Sequence, residues 1–166
     1  MHSSSFFVFF SLIASLVSGI VATTLYRGDS RSPGTIKNAG GFKAKGFDRP
    51  EGTLFQHVET LLKHPSRDPF ISTTIDLEFA KAHTGNGYLY TLDSTKITEK
   101  IYDVAKEYEK VGETYGHAKE KEFAVEHLTP GAAVTTVQKK SDGKWKTLKM
   151  PTKRMPEFPV EDVFVE

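Results

Sequence analysis

Glu120-Lys121-Glu122-Phe123-Ala124-Val125 sets two carboxylates one residue apart at the head of an apolar run. The run reads as a strand. Strand side chains alternate, so Glu120 and Glu122 are expected on the same side of it. Two acids on one side suit a reaction in which one steadies a developing positive charge and the other handles a proton. Glu-x-Glu is common on solvated surfaces, and the pair gains weight only with two stretches upstream. Phe70-Ile71-Ser72-Thr73-Thr74 is rich in β-formers and reads as a second strand. Thr23-Thr24-Leu25-Tyr26-Arg27 reads as a third, running into Gly28-Asp29.

Between these strands the apolar spacing predicts helices. Residues 33–39 form a short one behind the turn at Ser30-Arg31-Ser32-Pro33-Gly34, stopped by Gly40-Gly41. Leu54, Phe55, Val58, Leu61 and Leu62 predict a second, ended by His64-Pro65. Residues 76–83 predict a third, closed by Gly85. Ile97, Ile101, Val104, Tyr108 and Val111 predict a longer amphipathic helix over 96–111. Residues 43–49 and 112–119 are expected as loops. Further strands are expected at 87–92, 122–126, 133–139 and 144–149, the last two joined by a turn at Ser141-Asp142-Gly143. Helices crowd the first half and strands the second, so the class is α+β.

The 166 residues suffice for one domain with a real core. A net charge of +1, with 26% charged residues and no long block of one sign, gives no reason to expect nucleic acid or an acidic membrane surface as partner. The absence of cysteine excludes disulfides, a thiolate nucleophile and a cysteine-based zinc site. His64, His83, His117 and His127 show no spacing suited to a metal, so none is expected. Residues 1–22 lack Asp, Glu, Lys and Arg, and an apolar run over 6–14 is followed by small residues. This pattern predicts a secretory signal peptide cleaved after Ala22, with Gly19 as second choice. The alternative is a membrane anchor, which the serines at 3–5, 11, 15 and 18 disfavour. The expected product is a secreted, extracellular chain over 23–166 without a membrane anchor, ending in a Pro-rich tail at 151–166.

Three phrases together resemble the cholera toxin and heat-labile enterotoxin A subunits. Leu25-Tyr26-Arg27-Gly28-Asp29-Ser30-Arg31, with Ile36-Lys37-Asn38-Ala39-Gly40-Gly41-Phe42, is similar to that family's opening. Phe70-Ile71-Ser72-Thr73-Thr74 resembles its Ser-Thr-Ser strand, and Glu120-Lys121-Glu122 its Glu-x-Glu pair. His57 falls where these toxins carry an active-site histidine. The resemblance implies two packed antiparallel sheets with helices around a central NAD cleft. It also implies a mono-ADP-ribosyltransferase that cleaves NAD and passes ADP-ribose to a protein side chain, here arginine. Glu122 is then expected to stabilise the oxocarbenium-like ribose, Ser72 to hold Glu122, and Glu120 to orient or deprotonate the acceptor. Arg27 meets a phosphate or fixes the backbone around the cleft, with Asp29 and His57 among the NAD-binding residues. Tyr115 and His117, expected to be exposed in the loop before the pair, are candidates for target recognition.

The chain departs from the family after the pair, where Glu126-His127-Leu128-Thr129-Pro130-Gly131 replaces a Gly-Gly-Ile-Pro phrase. Without cysteine or a C-terminal docking module, no B pentamer is expected as partner. Taken singly, each stretch has a plainer reading: Arg27 as a structural ion pair, Ser72 to Thr74 as β-propensity, the glutamates as a solvated edge. Two rival functions keep the same fold, an NAD glycohydrolase and an idle relative serving as a secreted binding protein.

Overall fold

In the computed structural model residues 22–149 are described. Apart from Ala22, the expected signal peptide lies outside them, as does the Pro-rich tail. The first strand, β1 (Thr24–Asp29), lies at the centre of the large sheet. It leads into α1 (Pro33–Asn38), which begins with Pro33 and is capped by the Ser32 hydroxyl accepting from Thr35 N. A short strand β2 (Gly41–Lys43) and the helix α2 (Leu54–Val58) precede β3 (Phe70–Thr74). Then come α3 (Leu77–Ala82), β4 (Tyr88–Asp93), β5 (Ile101–Asp103) and α4 (Val104–Lys110). The described residues close with β6 (Glu122–Glu126), β7 (Leu128–Pro130), β8 (Val134–Ser141) and β9 (Lys144–Leu148).

Among the described residues all pairings are antiparallel. Seven strands run β5-β6-β3-β1-β4-β8-β9, and β2 pairs with β7 in a second sheet of two. The small sheet packs on the large one through Phe42, whose ring meets Tyr90 edge-on at 4.9 Å. Leu25, Ile36, Phe42, Tyr90, Leu92, Val125 and Val137 form the main core, all withdrawn from solvent. Leu54, Phe70, Val104, Tyr108, Tyr115 and Ala124 form a second cluster, where α2 and α4 meet β3 and β6. The α+β class and the two antiparallel sheets are as the sequence predicts, though the sheets are very unequal. Among the described residues no helix is long and apolar enough to cross a membrane.

Two helices differ from expectation. The helix predicted over 96–111 is divided: Ile101 to Asp103 pair with Val125 to Phe123 as β5, and only then does α4 begin, with the Asp103 carboxylate accepting from Lys106 N. Ile101 packs on the main core, whereas Val104 and Tyr108 belong to the second cluster. The helical spacing of these apolar residues therefore comes from two separate burials. The helix at Leu54 stops at Val58, although Thr53 and Gln56 give it a capping box. Thr60 turns to φ 55°, and Leu61 is left 69% exposed. At 43, the expected loop gives its first residue to β2.

Candidate active site

The cleft begins where two central strands part. β1 is registered on β4 from Thr24 to Asp29, but on β3 only at Tyr26–Thr74. Arg27 spans the split, with Nη1 donating to the Ser72 carbonyl at 2.6 Å. Within β3 the neighbours of Ser72 are buried while Ser72 itself opens outward. On the other side, α3 presses against β1 so closely that a Cβ on Gly28 would lie 2.8 Å from the His83 carbonyl. Only glycine fits there.

Two hollows share Arg27, Gly28, Ser72 and His83 as common wall. The larger, about 680 Å³, is also lined by Asp29, Arg31, Lys43, Lys45, His57 and Asp68. The smaller, about 360 Å³, is lined by Tyr26, Thr74, Phe79, Glu120 and Glu122. Phe79 and His83 stack at 4.0 Å along its α3 wall.

Asp29 is buried and gathers two arginines. It accepts from Arg27 Nε at 3.0 Å, Arg31 Nε at 2.9 Å and Arg31 Nη2 at 2.7 Å. Burial alone would raise its pKa, but the hydrogen bonds from Arg31 and the charge of Arg27 win, holding it at about 2. The Arg27 and Arg31 guanidiniums both stand 5.5 Å from the Phe42 ring.

His57 is held at both nitrogens. Nδ1 lies 2.7 Å from Asp68 Oδ2, and Nε2 lies 3.0 Å from Ser72 Oγ and 3.4 Å from Glu122 Oε1. Burial would depress its pKa, yet the hydrogen bonds and charges of Asp68 and Glu122 raise it to about 9. The ring packs beside Phe70, 5.4 Å between centroids. Ser72 thus meets His57 rather than Glu122, contrary to the sequence expectation. The side chains between which Glu122 sits are His57 and Tyr115.

Tyr115 also departs from expectation. It is buried in the second cluster, with its hydroxyl 3.5 Å from Glu122 Oε2, and burial beside that carboxylate pushes the phenol upward. It is not an exposed recognition residue. His117 is exposed and lies 3.2 Å from Glu120 Oε1 through Nδ1. Glu120 is not on the strand: it ends a 3-10 turn over Ala118–Glu120, and Lys121 follows at φ 46°. The Thr74 hydroxyl anchors the turn by donating to the Glu120 carbonyl at 2.6 Å. Both glutamates line the smaller hollow, but the left-handed kink at Lys121 brings them there, not strand alternation. Arg31 and Asp68 were not singled out by the sequence; Arg31 lies in the Arg-Gly-Asp-Ser-Arg phrase and Asp68 only two residues before β3.

A long antiparallel sheet split beside a cleft with this lining is the fold of ADP-ribosyltransferase toxins. A guanine-specific ADP-ribosyltransferase is 28% identical with a TM-score of 0.56, over 72% of this chain and 67% of that one. A variant of scabin toxin from Streptomyces scabies is 27% identical with a TM-score of 0.55, over 71% of this chain and 64% of the other. Scabin toxin in complex with NADH superposes with a TM-score of 0.60 over 83% of this chain and 78% of scabin; at 24% identity this is a likeness of fold. The first two matches take in about two thirds of those chains. The family model of the heat-labile enterotoxin alpha chain matches residues 2–111, and the chain belongs to that family. Comparison with curated protein sequences gave no match.

Proposed function

We propose that the chain is a secreted mono-ADP-ribosyltransferase toxin that takes NAD as substrate and passes ADP-ribose to an arginine side chain of a target protein. The observation that carries this reading is the placement of Glu120 and Glu122 in one hollow that shares Arg27 and Ser72 with a larger, basic one. Arg27, Arg31, Lys43 and Lys45 give the larger hollow the charge a pyrophosphate needs. Arg27 already spends Nε on Asp29 and Nη1 on Ser72 O, so its first task is to fix the split; its other N–H groups are left for phosphate. Asp29 acts through these arginines by setting their angle.

NAD extends from there, nicotinamide end first, into the smaller hollow. When the nicotinamide–ribose bond breaks, its electron pair leaves with nicotinamide and the ribose becomes oxocarbenium-like. The buried carboxylate of Glu122 stabilises that charge. A guanidine nitrogen of the acceptor then bonds to the ribose carbon, and Glu120, nearer solvent, takes the proton released. The resemblance of the Glu120-Lys121-Glu122 pair to that of the enterotoxin A subunits supports arginine as acceptor.

A second reading, guanine as acceptor, is favoured by the likeness to a guanine-specific enzyme. One assay separates the readings: the chain with labelled NAD, alone, with agmatine, or with guanosine and DNA. Label on agmatine with release of nicotinamide is expected. Label on guanine would move the acceptor, free ADP-ribose alone would make the chain a glycohydrolase, and intact NAD would refute the reading.

A further inference from the structure

We propose that Asp68 is a positioning residue of the cleft, whose carboxylate keeps the His57 ring oriented and doubly protonated so that Nε2–H is shared between Ser72 and Glu122. The inference rests on the functional reading above only in the kinetic part of its test. A carboxylate that is ionised accepts hydrogen bonds and donates none. His57 has one carboxylate at each nitrogen, Asp68 Oδ2 at 2.7 Å and Glu122 Oε1 at 3.4 Å. A proton on each nitrogen suits both carboxylates, whereas a neutral ring would turn a bare nitrogen lone pair towards one of them. Asp68 is itself fixed, because its other oxygen accepts from Phe70 N at 2.9 Å at the first residue of β3. One carboxylate thus ties α2, through His57, to the strand that carries Ser72.

Other charges face the same space. Arg27, Arg31, Lys43 and Lys45 line the larger hollow with His57 and oppose a proton on the ring, while His83 lines it from α3. Asp29 is neutralised by its arginines, Tyr115 meets the other oxygen of Glu122, and Glu120 lines the smaller hollow with Glu122. Asp68, at the shortest distance, decides the balance. Its consequence is a fixed cation beside Glu122 that holds the carboxylate aimed and does not titrate near neutrality.

Nitrogen NMR of labelled histidine in the parent chain tests this first, at about pH 7.5, well above the ordinary histidine value of ~6.5. Both ring nitrogens of His57 should carry protons; a neutral ring would overturn the proposal whatever the variants do. Asp68→Asn keeps an acceptor for Phe70 N and removes the charge. Its His57 should then be neutral at that pH. Nicotinamide release should fall by roughly ten- to a hundredfold at high pH, the size of effect of a lost supporting contact, and recover as pH drops towards 6. Asp68→Glu should restore part of the activity. Identical pH profiles for parent and Asp68→Asn would refute the assignment. A parent that releases no nicotinamide refutes the functional reading instead, and the NMR result still judges His57.

Discussion

The Tyr115 hydroxyl stands 3.5 Å from Glu122 Oε2, and both side chains are closed off from solvent. At that length the hydrogen bond is weak, so Tyr115 steadies Glu122 chiefly by packing. The account predicts that Tyr115→Phe lowers nicotinamide release only a few-fold, below the tenfold cost typical of a supporting contact. Tyr115→Ala opens a cavity in the second cluster and should cost about 3 kcal/mol or more of stability. Kinetics and denaturant melts on the two variants check this.

Ser72 and Thr73 divide activity from stability. Ser72 Oγ meets His57 Nε2 at 3.0 Å, whereas the buried Thr73 hydroxyl donates to the Phe123 carbonyl at 2.6 Å, across to β6. Ser72→Ala is expected to lower turnover roughly ten- to a hundredfold with little change in Tm. Thr73→Ala should cost about 1–2 kcal/mol of stability and leave turnover near the parent's. A reversed pattern would mean that the cleft lies on the other face of β3.

Glu120 separates transfer from hydrolysis. It lines the smaller hollow, and its carboxylate meets the exposed His117 at the solvent side. Glu120→Ala should abolish transfer to agmatine and spare much of the slow hydrolysis of NAD. Equal loss of both would make the two carboxylates a single functional unit.

The acid side of the stability curve reports on Asp29. Its carboxyl titrates at about 2 in the folded chain. Unfolded, it titrates near ~3.9. The folded value is the lower one, so the stability it contributes is present above about pH 4 and is lost as pH falls towards 2. That gap of nearly two units corresponds to about 2.5 kcal/mol, which solvent screening lowers to about 2 kcal/mol. Asp29→Asn should lose about that much at neutral pH, with the difference from the parent shrinking below about pH 3 in denaturant titrations.

Much of this was legible in the sequence, and the residues show why. β3 and β6 were readable because β-branched and aromatic residues sit between recognisable breaks, and Arg27, Ser72 and Glu122 were placed by three phrases in one order. Tyr115 was misjudged because a polar loop implies exposure, while its ring is drawn into a cluster made by α2 and α4, distant in sequence. The division of the 96–111 segment was hidden because burial of Ile101 and of Val104 on different cores imitates helical spacing. Asp68 had no sequence signal of its own; only folding brings it to His57, eleven residues earlier in the chain. The likeness of Glu120 and Glu122 in position was foreseen for the wrong reason, since an αL residue between them replaces strand alternation.

The central claim is that the buried carboxylate of Glu122 carries the charge that develops as nicotinamide leaves. Glu122→Gln keeps the volume and a partner for Tyr115 but removes the charge. The direct measurement is nicotinamide release by folded Glu122→Gln at saturating NAD, with NAD binding followed separately. The account predicts binding close to the parent's and a rate lower by roughly a hundred- to a thousandfold or more, about 3 kcal/mol or above in the barrier. Release at the parent rate would contradict it.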